Sequence, residues 1–172
     1  MMECARRGKG DAMLTLDAET RAAERPDDHK DELRLWLRLL TCTTLVEGEV
    51  RRRLREGFAL TLPRFDLMAQ LERTPEGLTL GDLSRRLMVS NGNVTGLVER
   101  LAEAGQVERV PHAVDRRVVL VRLTPSGRAA FARMAQAHEG WIGDLFQGLS
   151  VPEVRQLLRL LGRLKQSVQE GR

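Results

Sequence analysis

The sequence predicts a mainly α-helical protein that carries one small β-hairpin. Apolar residues recur at helical spacing in six separate segments, whereas one stretch, residues 107–123, alternates with the period of two that is typical of strands. A hydrophobic fraction of 42% beside a charged fraction of 30% is the balance of a folded globular chain. The predicted order is therefore four helices, two short strands and two further helices.

The 172 residues suit one domain preceded by an extra segment. Residues 1–28 are polar, carry mixed charges and show no periodicity, so they are interpreted as a flexible arm, and residues 29–168 as the folded domain. All but three of the 28 basic residues are arginine. Arginine binds phosphates and guanine edges through two parallel hydrogen bonds, so this composition is compatible with nucleic acid, although a GC-rich genome produces the same bias.

Missing motifs exclude several classes of protein. Cys4 and Cys42 form no CxxC pair, and the three histidines lack HExxH spacing, so no metal site and no cofactor is expected. Phosphate-binding loops and the GxSxG nucleophile motif are absent, so the chain is not expected to be an enzyme. No apolar run reaches the roughly 20 residues of a membrane helix and no secretory signal is visible, which favours a cytoplasmic protein without membrane contact.

The first predicted helix spans residues 29–57 and is apolar on two sides. One face is made by Leu33, Trp36, Leu37 and Leu40, and the other by Leu39, Val46, Val50 and Leu54. A helix that is apolar on two sides must be covered on both, by its own core and by a partner. Gly57 is expected to end this helix.

Capping signals mark the two short helices predicted within residues 79–104. Thr79 and Asp82 have the spacing of a capping box, and Ser90 precedes the second helix, which Gly105 ends. Only a tight break separates the two helices.

Apolar spacing also predicts the remaining helices. The second helix of the chain starts at Thr61 and is expected to bury Phe65, Met68 and Leu71. The fifth follows Thr124, and Ser150 with Glu153 forms a capping box for the last one. In that last helix the apolar residues alternate by three and four, as in a coiled-coil seam: Val154, Leu157, Leu161, Leu164 and Val168.

Two short helices with a tight turn, followed at once by a basic hairpin, are the pattern of a winged helix-turn-helix. In that motif the second helix enters the major groove of DNA, and residues at its N-terminal end contact base edges. Asn91, Asn93 and Thr95 lie off the buried stripe of this helix and can bond to bases or phosphates. Gly92 and Gly96 lower its helix propensity, a cost that close approach of DNA explains, although a bundle helix with tolerated glycines shows the same pattern.

The predicted hairpin, or wing, carries four arginines: Arg109, Arg116, Arg117 and Arg122. An arginine at a hairpin tip can enter a narrow minor groove, where the negative potential is strongest. Asp115 is expected to shape the wing rather than to contact a phosphate. The alternative is a solvated basic edge that blocks strand pairing. Because aromatic residues make up only 3% of the chain, double-stranded DNA is favoured over stacked single strands.

These motifs resemble those of the MarR family of bacterial transcription regulators. The similar stretches are TLGDLSRRLMVS from Thr79 to Ser90, the Asp115-Arg116-Arg117 wing, and LTPSG from Leu123 to Gly127. The wing followed by Leu-Thr-x-x-Gly is the most specific of them. The resemblance spans roughly residues 33–164, so only the arm lies outside it.

The resemblance implies a homodimer joined by its first and last helices, residues 29–57 and 125–168, around a DNA-binding lobe at 58–124. Two copies related by a two-fold axis would bind a pseudo-palindromic operator. The residues that match the family's DNA contacts are Ser90, Asn91, Asn93 and Thr95 in the major groove, with Arg116 and Arg117 in the wing. Arg85 and Arg86 in the third helix are interpreted as phosphate contacts or as surface charges. Such regulators usually repress by occupying a promoter until a small effector releases them.

The resemblance also places an effector pocket near the first, second and fifth helices. The candidate residues are Trp36, Arg38, Phe65, Asp66, His138 and Trp141, although the aromatic ones and His138 equally fit apolar core positions. The implied effector is a small aromatic or anionic molecule, such as an aromatic acid or its CoA thioester.

Two other interpretations stay open. A redox-responsive regulator would use Cys42, but this residue lies about one turn later than the reactive cysteine of the peroxide-sensing branch, and the chain has no tyrosine to activate it. Cys42 is therefore interpreted as a small core residue. A winged-helix module that binds protein would share the fold without the need for an arginine-rich wing or a salt-dependent affinity for DNA.

Overall fold

The computed structural model describes residues 31–112, 115 and 117–171. Within them the chain forms, as predicted, six helices and one antiparallel hairpin: α1 (Asp31–Phe58), α2 (Leu62–Glu72), α3 (Leu80–Leu87), α4 (Asn91–Glu103), β1 (Val107–Pro111), β2 (Val119–Leu123), α5 (Pro125–Phe146) and α6 (Val151–Glu170). The arm predicted at 1–28 lies outside the described residues. The chain divides into two compact units, the first ending at Ala135 and the second beginning at Gln136.

α1 does not end at the predicted position. The helix runs through Gly57 to Phe58, and the chain leaves it at Ala59, whose φ of 50° is the left-handed conformation. Ala59 makes the reversal that was expected of the glycine, and Leu60 directly after it is buried. The helix therefore ends one residue later than predicted and the chain turns two residues later, because the position that turns the chain is the one that precedes the next core residue.

Ion pairs between neighbouring turns stabilise the second half of α1. Glu49 accepts hydrogen bonds from Arg52 at 2.6 Å and from Arg53 at 2.7 Å, and Arg52 also donates to Glu56 at 2.5 Å. Hydrogen bonding to the Arg52 guanidinium, and next to that of Arg53, lowers the pKa of Glu49 to about 2. Ion pairs at three- and four-residue spacing favour the helical conformation, so the side chains of α1 stabilise their own helix.

One core connects the helices and the hairpin of the first unit. Its buried apolar side chains include Leu54 of α1; Phe65, Leu67, Met68 and Leu71 of α2; Leu83 of α3; Val94, Val98 and Leu101 of α4; and Val107, Val121 and Leu123 of the hairpin. These are the faces that the apolar spacing predicts for α2 and α4. Full burial of one such side chain contributes about 1.5–3 kcal/mol, so the shared core fixes the outward faces of α3, α4 and the hairpin.

Both predicted capping boxes form. Thr79 Oγ1 accepts a hydrogen bond from the Asp82 N–H at 3.1 Å, and Asp82 Oδ2 accepts one from the Thr79 N–H at 3.4 Å. At the start of α6 the Ser150 N–H donates to Glu153 Oε2 at 2.8 Å. By contrast, Thr61 begins α2 without a side-chain cap.

A single residue, Leu78, pairs with the outer edge of the hairpin. β1 and β2 pair antiparallel with Val107 opposite Leu123. On the other side of β2 the Leu78 N–H donates to the Val121 carbonyl at 2.9 Å, and the Leu78 carbonyl accepts the Val121 N–H at 2.8 Å. A Cβ at Gly77, whose φ is 103°, would lie 2.8 Å from that same carbonyl oxygen. This bridge ties the segment before α3 to the hairpin.

The second unit comprises the end of α5 and all of α6. The rings of His138 and Trp141 meet edge to face with centroids 6.4 Å apart. Most of the predicted seam of α6 is open to solvent in the single chain, because Leu157, Leu161, Leu164 and Val168 are 37–58% exposed. None of the helices described in either unit has the length and apolar character needed to cross a membrane.

Candidate nucleic-acid interface

The N-terminal end of α4 presents polar side chains to solvent. Ser90 Oγ caps the helix by accepting the Asn93 N–H at 3.4 Å. Asn91 and Asn93 are exposed, whereas Thr95 is half-buried and donates its hydroxyl to the Asn91 carbonyl at 3.0 Å. Each exposed amide can donate and accept at once, which is the combination that recognition of a base edge requires.

Two glycines lower the surface of α4 beside these side chains. Apart from its chain neighbours and the backbone of its own helix, a Cβ at Gly92 or at Gly96 would meet no atom of the described residues within 4 Å. Packing within the chain therefore does not require glycine at either position, although each one weakens the helix by about 1 kcal/mol relative to alanine.

Two arginines stand on the last turn of α3. Arg85 bonds to the Asp82 carboxylate and keeps 80% of its side chain exposed, while Arg86 donates to Thr74 Oγ1 at 3.2 Å and is also exposed. Asp82 thus serves the cap of α3 and Arg85 together. Its hydrogen bond with the Thr79 hydroxyl, and next with Arg85, lowers its pKa.

The turn between α3 and α4 is held by its own hydrogen bonds. Ser84 Oγ donates to the Val89 carbonyl at 2.5 Å, and the Val89 N–H returns a bond to the Ser84 carbonyl at 3.2 Å. Met88 between them adopts a left-handed φ of 54°. The turn therefore sets a fixed relation between the arginines of α3 and the start of α4.

At the wing, Asp115 organises the turn between the strands. Its Oδ1 accepts the Arg117 N–H at 3.0 Å and its carbonyl accepts the Val118 N–H at 3.0 Å, while its own N–H donates to His112 Nδ1 at 3.3 Å. Arg117 is exposed. Arg116 lies outside the described residues.

The other two arginines of the hairpin differ from each other in environment. Arg122 forms a cross-strand ion pair with Glu108 at 2.8 Å, so its charge is used within the hairpin. Arg109, on β1, is exposed. The sequence alone could not distinguish these two environments, because the pairing of Arg122 with Glu108 depends on the register of the two strands.

The segment LTPSG joins the hairpin to the end of α4. The hydroxyls of Thr124 and Ser126 both donate to the Gly105 carbonyl, at 2.7 and 2.9 Å, and Thr124 Oγ1 also accepts the Gly127 N–H at 2.9 Å. The Thr124 N–H donates to the Gln106 carbonyl at 3.1 Å. The sequence predicted only that α5 follows Thr124, so the contact of Thr124 with the end of α4 was not predicted.

The effector candidates of the first unit occupy different environments. Trp36 on α1 is 58% exposed and Arg38 is exposed as well. Phe65 is buried in the core, where its ring lies 5.4 Å from that of Phe131, and Asp66 beside it is half-buried. Trp36, which fitted an apolar stripe of α1, is therefore on the surface of the single chain.

The second unit holds the other two effector candidates, His138 and Trp141, both half-buried and in ring contact. Cys42 is an exposed free thiol and not the small core residue expected, because the buried side of α1 at this level holds Thr41, and Cys42 lies about 100° around the helix from it. Among the residues that the structure describes, no histidine, cysteine and carboxylate side chains group in a way that could hold a metal ion.

Comparison with known proteins agrees with this geometry. The MarR family model matches residues 60–119, from just before α2 to the first residue of β2. The transcriptional activatory protein BadR of Rhodopseudomonas palustris is 34% identical over 153 residues, which make up 84% of this chain and 87% of that protein.

Two solved structures are similar over most of their length. A MarR family transcriptional regulator from Silicibacter pomeroyi has a TM-score of 0.70 and 35% identity, covering 84% of this chain and 99% of that one. A mutant MarR from E. coli complexed with operator DNA has a TM-score of 0.67 and 26% identity, covering 80% and 99%. These relationships extend well beyond the helix-turn-helix, and the chain belongs to the MarR family of transcription regulators, a family that is not enzymatic.

Proposed function

We propose that the protein is a homodimeric repressor that binds a pseudo-palindromic operator in double-stranded DNA and is released by a small effector. The observation that carries the proposal is the exposed polar end of α4 beside the exposed arginines of α3, on helices whose opposite faces share one buried core. The similarity to a protein solved with operator DNA supports it. Its place of action would be the cytoplasm, where bacterial DNA lies.

In this proposal α4 lies in the major groove with its N-terminal end against the bases. Asn91 and Asn93 offer exposed amides, which match the N6 and N7 atoms of adenine. Ser90 and Thr95 add hydroxyl oxygens at the same end of the helix. Gly92 leaves the surface between the two asparagines low, which permits the helix backbone to approach the groove floor.

The arginines are proposed to bind phosphates and the minor groove. Arg85 and Arg86 are exposed on the helix before the turn, where they suit the backbone of the operator. Arg116 and Arg117 would enter the minor groove from the wing, with Asp115 as the residue that shapes the turn. The hydrogen bond from the Arg117 N–H to Asp115 Oδ1 supports that role.

The dimer is proposed to form through residues 29–57 and 125–168, with residues 58–124 as the DNA-binding lobe. On α6 the seam residues are exposed, and on α1 the exposed apolar residues include Leu33, Leu35, Trp36, Leu40 and Leu45. Exposed apolar stripes of this extent on two helices favour association, since water is removed from both copies. A two-fold axis would then set the two α4 helices on half-sites about one helical turn of DNA apart.

The direction of regulation and the chemical class of the effector are part of the same proposal. Repression by promoter occupancy is the simplest action of a DNA-binding dimer, although the relative from R. palustris is named as an activatory protein. The effector is proposed to be an aromatic acid or its CoA thioester, the class that the family resemblance implies, and Trp36 and Arg38, both exposed on α1, are two of the candidate contacts. Phe65, Asp66, His138 and Trp141 are the other candidates for that contact.

Binding to a short duplex from the region upstream of its own gene tests the proposal, with a scrambled duplex beside it and salt as the variable. We expect selective binding whose logarithm falls linearly with the logarithm of salt concentration, since bound arginines release counterions. The Arg116→Ala/Arg117→Ala pair should weaken binding and lower the salt slope by up to about two.

The opposite results are equally clear. Weak and equal binding to both duplexes, repeated with duplexes selected from a random library, would contradict the regulator and favour a winged helix that binds protein. A reporter placed behind the bound region then fixes direction: expression that rises on deletion of the gene supports repression, and expression that falls contradicts it.

A further inference from the structure

We propose that Met88, in the turn between α3 and α4, packs its side chain against the sugar–phosphate wall of the bound DNA. The inference rests on the proposed function and adds an uncharged contact to it. Met88 is 93% exposed, the largest exposed fraction among the large apolar side chains in the described part of the chain. Burial against the described residues therefore does not explain why an apolar side chain stands at this position.

The backbone at Met88 makes the residue more unusual. Its φ of 54° is in the left-handed region, which a side chain disfavours and glycine adopts without strain. Folding alone would thus be served better by glycine at this position. Ala59 is the other non-glycine residue with positive φ in the segments that the structure describes, and its side chain is a single methyl group.

The turn holds Met88 in a defined direction. Its N–H donates to the Arg85 carbonyl at 3.4 Å, and Ser84 bonds to Val89 on the other side through both its hydroxyl and its carbonyl. Two residues later Ser90 caps α4. Met88 is therefore a fixed feature of the surface that also presents the start of α4.

The residues around Met88 identify DNA as the occupant. Exposed Arg85 and Arg86 precede it and exposed Ser90 and Asn91 follow it, so a duplex that contacts both sets must pass over the turn between them. The walls of the groove carry deoxyribose, whose C–H surface suits a flexible and polarisable thioether. Because methionine is uncharged, such a contact adds affinity without releasing a counterion.

The test compares three variants of the full-length protein on the selected duplex and on its scrambled form. Met88→Gly removes the side chain and the strain together, Met88→Leu keeps an apolar side chain, and Ala59→Gly relieves the same strain outside the helix-turn-helix. We expect Met88→Gly to raise the melting temperature but to weaken binding to both duplexes about fivefold, less than the full burial of a methionine would contribute. Its salt slope should equal that of the wild type, while Met88→Leu and Ala59→Gly should keep wild-type affinity.

Three results would overturn the inference. If Met88→Gly bound DNA with the affinity of the wild type, Met88 would be an exposed turn residue that does not contact DNA. Loss of affinity in Ala59→Gly as well would assign the effect to backbone relaxation. A changed salt slope in Met88→Gly would mean that charged contacts had moved. If the wild type itself binds no duplex, the proposed function fails first and this inference with it.

Discussion

Gly127 lies so close to Gln106 that a Cβ atom at position 127 would overlap the Gln106 carbonyl oxygen, far inside the contact distance of two non-bonded atoms. The first turn of α5 therefore rests directly on the link between α4 and β1. Thr124 and Ser126 hold the same place by donating to the Gly105 carbonyl. The end of the proposed recognition helix, the base of the wing and the start of α5 are thus joined at one point.

Gly127→Ala should separate these three elements. The methyl group cannot avoid the Gln106 backbone without a shift of α5 or of the α4–β1 link, so we expect a loss of about 2–3 kcal/mol in the free energy of unfolding. Urea denaturation followed by circular dichroism measures it.

Gly140→Ala in the same helix is the matched control. Beyond its chain neighbours and its own helix backbone, a Cβ there would meet no described atom within 4 Å, so alanine should leave the stability unchanged or raise it by about 0.5–1 kcal/mol. Equal changes in the two variants would contradict the close approach at Gly127.

Replacing Gly92 or Gly96 with alanine should raise stability and weaken DNA binding. Since a Cβ at either position has open space, Gly92→Ala and Gly96→Ala should each stabilise the protein by up to about 1 kcal/mol. If DNA lies against this face, the added methyl groups should weaken binding to the selected duplex about tenfold. Melting temperature and a binding isotherm for each variant check both parts, and unchanged affinity would contradict the proposed approach of DNA.

The cap of α3 predicts a pH dependence of stability. Hydrogen bonds to Thr79, and next to Arg85, lower the pKa of Asp82 below its ordinary value of 3.8. A carboxyl group with a lower pKa in the folded state stabilises the fold above its unfolded pKa and loses that contribution as the pH falls through the folded pKa. Asp82→Asn should therefore be less stable than the wild type at neutral pH by about 1 kcal/mol, the usual effect of a lost helix cap.

The difference between Asp82→Asn and the wild type should shrink as the pH drops below about 4, where the carboxyl of the unfolded chain binds a proton, and should reach its minimum only below the lowered pKa of the folded state. Urea unfolding of both proteins at a series of pH values measures it. A difference that stays constant down to the acid limit would mean that the charge of Asp82 has no part in the cap.

The exposed seam of α6 predicts the state of association. Leu161→Glu puts a charge in the middle of the seam and should convert the proposed dimer to a monomer, with loss of tight operator binding. Arg159→Glu alters charge on the opposite side of the same helix at 100° per residue and should leave the dimer intact. Sedimentation equilibrium distinguishes the two, and a dimer that survives Leu161→Glu would contradict the proposed interface.

Features set by local chemistry could be predicted from the sequence. The pairs Thr79–Asp82 and Ser150–Glu153 act within one helical turn, so residue type and spacing suffice to place the starts of α3 and α6. The buried faces of α2 and α4 follow from period alone for the same reason.

Features set by contacts distant in the chain could not be predicted. The bridge between Leu78 and Val121 involves one residue without periodicity, and the clash that keeps position 127 a glycine involves Gln106, 21 residues earlier. Cys42 was misplaced because the amphipathic pattern of α1 does not say which side its own core covers and which side stays open.

The most direct test of the central claim is the selectivity of an Asn91→Ala/Asn93→Ala variant, measured as the ratio of its affinities for the selected and scrambled duplexes. If these amides contact base edges, the ratio should fall by about 10- to 100-fold or more, while the salt slope stays that of the wild type because no charge is lost. A ratio equal to that of the wild type would contradict the proposal that the N-terminal end of α4 reads the operator.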